Sequence, residues 1–179
     1  GFSGGRSKPS PVLRLFSFAI PKEEIAIRLD VDGTDLGRES GTAFNPSDIK
    51  RPEEPAIDDS RKDLIEIPLL QIAWARSGDK GDKANIGVLP RDLAYAPWIW
   101  ATLTPERIAD RFAHYLDDPK PALVERFYMP GTGAMNILLH DVLGGGGVAS
   151  LRNDPQGKGY SQILLQIPVT VPASIAEAR

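Results

Sequence analysis

Between positions 76 and 83 the chain sets three cations, Arg76, Lys80 and Lys83, among two carboxylates, Asp79 and Asp82, and two glycines, Gly78 and Gly81. Glycines let consecutive backbone N–H groups converge, and such a concavity flanked by cations can cradle a phosphate or a carboxylate. A coenzyme A diphosphate or a free carboxylate suits it. The competing reading is a solvated hairpin turn, in which Asp79 and Asp82 neutralise Lys80 and Lys83 and leave one positive charge over. A two-residue turn needs only a pair such as Asn-Gly, so this composition exceeds what turning requires. It is not a P-loop, because the Gly-Lys-Ser/Thr ending is absent.

Two further features extend the candidate site. The run Gly144–Gly147 can let a ligand approach the backbone, with Arg152 beside it as an anion partner. Its composition favours the plainer reading of a helix stop and a flexible connection. Asn85 can polarise a thioester carbonyl through its amide, as oxyanion donors do. The candidate ligand-binding residues are thus Arg76, Ser77, Gly78, Asp79, Lys80, Gly81, Asn85, Gly145, Gly146 and Arg152. No residue is assigned a catalytic role on sequence grounds.

Other chemistries fit poorly. The chain has no cysteine, which excludes disulfides, thiolate nucleophiles and cysteine-ligated clusters within it and matches a reducing cytoplasm. Its two histidines, His114 and His140, lie far apart and both fall in predicted helices, so no metal site is expected. Asp141 beside His140 points to another helix face. Ser77 lacks a Gly-x-Ser-x-Gly elbow. A net charge of −3 leaves no basic stripe for nucleic acid. No apolar run reaches the roughly 18 residues of a membrane helix, and no signal-peptide pattern is present. No cofactor is implied, and Trp74, Trp98 and Trp100 are read as core or interface residues.

The elements that must position these residues follow from periodicity. Residues 12–32 alternate around Pro21 and predict a β-hairpin. The opening Gly1-Phe2-Ser3-Gly4-Gly5 lacks an initiator methionine and is read as a cut end, a tag scar being the alternative. Residues 1–33 are thus expected to be the tail of an upstream domain, 34–62 a linker or surface loop, and 63–179 a second domain. In that domain a strand is predicted over about 65–74, a polar turn over 77–83 and a second strand over 84–89. Thr104-Pro105-Glu106 predicts a helix start, with apolar spacing through Leu116. A strand over 123–129, a helix over 134–143 stopped by Gly144, and a last strand over 160–169 complete the order. This is an α+β sandwich, a mostly antiparallel sheet with two helices on one face.

The segment Ala73-Trp74-Ala75-Arg76-Ser77-Gly78-Asp79-Lys80-Gly81-Asp82, followed by Ala84-Asn85-Ile86-Gly87, closely resembles the signature of the AtuA-like (acyclic terpene utilisation) family. Gly144–Gly146 with Ser150-Leu151-Arg152, Gly157-Lys158, and the opening Gly4 to Pro11 are similar too. The resemblance implies a ferredoxin-like C-terminal domain. It also implies a bacterial, cytoplasmic role in acyclic terpenoid or branched acyl-CoA catabolism.

Three readings of function stand beside one another. The first is an accessory or ligand-binding domain for an acyl-CoA or carboxylate, completed by the upstream AtuA-like domain or another subunit of a homo-oligomer. The second is part of a hydratase- or lyase-type enzyme on branched acyl-CoA, with Asp79, Lys80 or Asn85 contributing directly. The third is an oligomerisation module using Trp98, Trp100 and the N-terminal hairpin at subunit contacts. No nucleic-acid or membrane partner is expected.

Overall fold

The computed structural model describes residues 9, 11–14, 16–25, 45–58 and 60–177. It divides into two units, Leu15–Arg51 and the remainder. In the smaller unit the described residues form 3-10 turns at Lys22–Glu24 and Pro46–Asp48, the second capped by Asn45, whose side chain accepts from the Ser47 amide. The described residues of the expected hairpin's first arm, 12–14 and 16–20, contain no strand. Its second arm, 26–32, and the opening residues 1–8 lie outside the described residues.

The larger unit is α+β, and among its described residues every strand pairing is antiparallel. Four strands form one sheet: β2 (Ala73–Lys80), β3 (Lys83–Pro90), β4 (Val124–Met129) and β5 (Ala134–Leu139), in the order β2-β3-β5-β4. A separate pair joins β1 (Leu64–Pro68) to β6 (Pro168–Pro172). One face of the larger sheet supplies Ala84, Ile86, Val88, Met135, Ile137 and Leu139 to the core. Helices α1 (Ala96–Thr102), α2 (Pro105–Arg111) and α3 (Tyr160–Leu164) answer with Ile99, Ile108 and Leu164. Each such fully buried aliphatic side chain contributes about 1.5–3 kcal/mol. A short α4 (Ala173–Glu177) closes the described chain.

Local chemistry explains the boundaries. Thr104 Oγ1 accepts from the Arg107 amide at 3.3 Å with Pro105 in the first turn, as its sequence predicts. The helix is shorter than its apolar spacing implies: α2 ends at Arg111 and a 3-10 turn, Ala113–Tyr115, follows. The aromatic stretch Trp98-Ile99-Trp100 lies inside α1. Arg126 reaches from β4 to donate to the Trp100 and Leu103 carbonyls at 2.7 and 2.9 Å, closing the end of that helix. Burial lowers the pKa of Arg126, against the raising influence of Glu54 and Glu106.

Four segments differ from expectation. The strand predicted over 65–74 is two strands in two sheets, split by a 3-10 turn at Leu69–Gln71. There the Leu69 and Leu70 amides turn to the Ile167 and Leu165 carbonyls. Residues 134–139 are a strand rather than a helix. Met135, Ile137 and Leu139 are buried at period 2, and the Gly131-Thr132-Gly133 turn, with Gly133 at φ +66°, returns the chain from β4. Tyr160–Leu164 is helical, burying Tyr160, Ser161 and Leu164, and the last strand begins only at Pro168. Finally, the polar turn is much shorter than predicted. Strand pairing runs to Lys80↔Lys83, leaving Gly81 and Asp82 as the whole connection, with Gly81 at φ +68°.

Candidate functional site

Because side chains alternate along a strand, the β2–β3 hairpin sends the candidate residues to two places. Ser77 is buried on the core side with only 5% exposed. Arg76, Gly78 and Lys80 belong to the outer face, where the register sets Arg76 opposite Gly87 and Gly78 opposite Asn85. The next strand continues the rows, with Gly87 opposite Asn136 and Asn85 opposite Leu138.

The inner group forms a latch. Asp82 Oδ1 accepts from the Leu143 and Gly145 amides at 3.1 and 2.8 Å, and the Asp82 carbonyl accepts from Val142 at 3.1 Å. Gly146, at φ +86°, passes so close that a Cβ there would stand 2.9 Å from the Gly81 oxygen. The glycine loop thus folds onto the signature turn, and an internal carboxylate fills its amides. Arg152 donates to the Val142 and Tyr115 carbonyls, the latter at 2.8 Å, and lies 5.5 Å over the Tyr115 ring. Tyr160 donates to the same Val142 carbonyl at 3.0 Å. Ser77 Oγ donates to the Lys158 carbonyl at 3.0 Å and accepts from the Ser161 amide at 2.9 Å, joining β2 to α3. With both its hydrogen and a lone pair engaged, this hydroxyl is a clamp. The structure therefore brings Ser77, Gly81, Gly145, Gly146 and Arg152 together below the hairpin. Asp79 stands beside them on the inner parity, its carbonyl accepting from Lys80 Nζ at 2.8 Å.

The outer face carries a groove of about 410 Å³ lined by Trp74, Arg76, Gly87, Leu89, Met129 and Asn136, among others. Trp74, Leu89 and Met129 are 50%, 42% and 49% exposed, an apolar group at one end. The Arg91 guanidinium lies 4.5 Å over the Trp74 ring. Cations follow along β2. Gly78 has no side chain, and the Lys158 ammonium occupies the space beside it, 3.2 Å from where a Cβ would be. Arg76, Lys158 and Lys80 thus mark one edge of this face. Asn85 Nδ2 donates to Asn136 Oδ1 at 2.5 Å. Further along, His140 Nε2 stands 2.5 Å from Glu125 Oε1, both half-buried.

Lys158, Asn136 and the Glu125–His140 pair were absent from the sequence-derived site. A helix over 134–143 hides both Asn136 and His140, whereas period 2 through Met135, Ile137 and Leu139 would have placed them on one face. His114 is exposed in the 3-10 turn that follows α2, its ring tilted against that of the next residue, Tyr115, with centroids 4.0 Å apart. Trp100 is not a surface contact: it is 5% exposed, packs edge-on to Tyr128 and donates to Glu54 Oε2 at 3.0 Å. Trp98 is half-buried against the core. Among the described residues no group of three or more metal-ligating side chains occurs, and no helix is long and apolar enough to cross a membrane.

Comparison with known proteins gives one finding. The family model of the AtuA ferredoxin-like domain matches residues 67–170, more than half of the chain. The match runs from the end of β1 into β6 and contains both the latch and the outer groove. No curated protein and no solved structure matches the chain.

Proposed function

We propose, on the premise that this chain belongs to the AtuA ferredoxin-like domain family, that it is a ligand-binding domain for an amphipathic anion. The ligand is a branched or acyclic terpenoid acyl group carried as a coenzyme A thioester or free carboxylate. It lies on the outer face of the four-stranded sheet. One observation carries the reading: a groove with an apolar end at Trp74, Leu89 and Met129 has Arg76 in its wall, and Lys158 and Lys80 follow on the same strand edge. The apolar end suits the hydrocarbon tail, and a guanidinium presents a planar fork to a carboxylate or phosphate.

Within the same proposal, Arg76, Gly78, Lys80 and Asn85 serve the ligand. Ser77, Gly81, Gly145, Gly146 and Arg152 serve by holding the hairpin in shape, because their polar groups or close approaches are engaged within the protein. The domain acts in the cytoplasm beside an upstream AtuA-like domain and in a homo-oligomer. Titration calorimetry with branched acyl-CoAs and the matching free acids tests the reading. The Arg76→Ala, Lys158→Ala double variant is expected to bind at least tenfold more weakly, about 1.4 kcal/mol. Heats unchanged by both substitutions would remove the cationic edge from the account.

A further inference from the structure

We infer that Gly87 is the specificity-determining residue of the outer groove: a carboxylate head lies across its bare backbone between Arg76 and Asn136, and the ligand is a short branched-chain acid bound as the free anion. The inference rests on the reading of that face as a ligand site. All three residues line the groove. They stand in one row across the sheet, with Arg76 opposite Gly87 on β2 and β3, and Gly87 opposite Asn136 on β3 and β5. Neighbouring strands lie about 4.8 Å apart, so Arg76 and Asn136 rise from backbones roughly 9–10 Å apart, with no side chain between them.

A glycine inside a strand weakens it, and it marks a bulge, a bend or a place where something approaches the backbone closely. Pairing is continuous through Gly87, from Ile86 to Val88 on both sides, so there is no bulge. Its φ lies outside the left-handed region, so the conformation suits any residue. Among the described residues nothing fills the place of the missing side chain: an added Cβ would meet only the Arg76 carbonyl oxygen, at an ordinary 3.9 Å. Gly78, the other glycine of these two strands, differs, because the Lys158 ammonium occupies the corresponding space. What remains for Gly87 is a molecule from outside.

The flanking groups fit an anion. Among the described residues no carboxylate pairs with Arg76. Asn136, whose Oδ1 is taken by Asn85, has no acceptor among them for its Nδ2 hydrogens. Glu125, one row further along, is already engaged by His140. A guanidinium and an amide N–H both donate, so together they suit a carboxylate better than an uncharged thioester carbonyl. The apolar row lies two residues along the strands, with Trp74 opposite Leu89 and Ala134 opposite Met129. Two residues of strand span about 6.8 Å. An extended chain advances about 1.2 Å per bond, so roughly five or six bonds carry the acid from its head to the apolar end. There the small side chain of Ala134 leaves room for the branch.

The test titrates the full chain by calorimetry with 5-methylhexanoate, its primary amide and its coenzyme A thioester, beside urea denaturation of each variant. The wild type is expected to bind the acid about tenfold or more tightly than the neutral amide. Gly87→Val should weaken the acid about tenfold or more by filling its seat, and Gly87→Ala about threefold, at urea midpoints equal to or above that of the wild type. Gly87→Ala carries the test if the valine variant does not fold. A glycine kept only for structure gives the opposite pattern, lowered midpoints with affinity intact, and that result overturns the inference. So does tighter binding of the thioester or the amide than of the acid. Either outcome leaves the ligand site standing if Arg76→Ala still weakens binding of the thioester. Absence of binding of both acid and thioester by the wild type overturns both.

Discussion

Asp82 Oδ1 lies 2.8 Å from the amide nitrogen of Gly145, a residue 63 positions further along the chain. That contact joins the two sequence features with the strongest anion-binding look, the charged hairpin and the glycine run, and shows that they satisfy each other. Amides that would attract a ligand phosphate already hold a carboxylate of the same chain. The consequence is a division of labour: the inner side of the signature shapes the hairpin, and the outer side faces a groove.

Asp82→Ala should therefore act on stability. It strands the Gly145 amide, which a charged acceptor now satisfies, and leaves the Leu143 amide only its 3.4 Å bond to the Asp82 carbonyl, a loss of about 2 kcal/mol. Urea denaturation is expected to show a lower midpoint with an unchanged slope. A midpoint equal to the wild type would mean that the latch contributes nothing.

Gly146→Ala makes a second, sharper case. The backbone sits at φ +86°, and the added methyl would stand 2.9 Å from the Gly81 oxygen and 3.0 Å from its carbonyl carbon. Strain of this kind costs roughly 1–2 kcal/mol before the collision is counted. Gly131→Ala, where an added Cβ meets nothing within 4 Å, is the control and should change the midpoint little.

Tyr160 predicts an alkaline limb in the stability profile. Burial raises its pKa, against the lowering influence of Arg152, and its hydroxyl donates to Val142. The folded state therefore keeps this proton to higher pH than the unfolded state does. Stability from this group is complete below the ordinary tyrosine pKa of about 10 and falls as pH rises above it. Urea midpoints at pH 8 and pH 10.5 should drop further for the wild type than for Tyr160→Phe. Equal drops would refute the assignment.

Ser77→Ala separates structure from binding at adjacent positions. The buried hydroxyl serves both the Lys158 carbonyl and the Ser161 amide, so its loss leaves two groups unpaired and should cost about 1–3 kcal/mol. Acyl-CoA affinity of the folded variant should stay within about threefold of wild type, because Ser77 faces the core. Arg76→Ala should do the reverse, weakening binding at a nearly constant urea midpoint.

Legibility in the sequence followed the strength of local punctuation. Thr104-Pro105 announces α2, and the β2–β3 hairpin follows from two apolar runs around a charged, glycine-bearing centre. The stretch 134–143 does not decide itself. Met135, Leu138, Leu139 and Val142 recur at helical spacing, while Met135, Ile137 and Leu139 recur at period 2, and only pairing to β3 and β4 selects the strand. That ambiguity concealed Asn136 and His140. Tyr160 to Val169 misleads in the same way, since alternation at 163, 165 and 167 spans a helix end and a connection. The chemical residues of the signature were legible as a set, but their partition into two faces was not. Side chains one position apart on a strand point in opposite directions, and the polar turn had to be reduced to Gly81 and Asp82 before the strand rule applied to Arg76 through Lys80.

Backbone amide shifts in a titration of the isotopically labelled chain with a branched acyl-CoA test the central claim most directly. Perturbations gathered at Arg76, Gly78, Gly87, Asn136 and Lys158, with Leu143 and Gly145 unmoved, are the predicted result. Shifts centred on the glycine loop and Arg152, with the outer face unchanged, would contradict it.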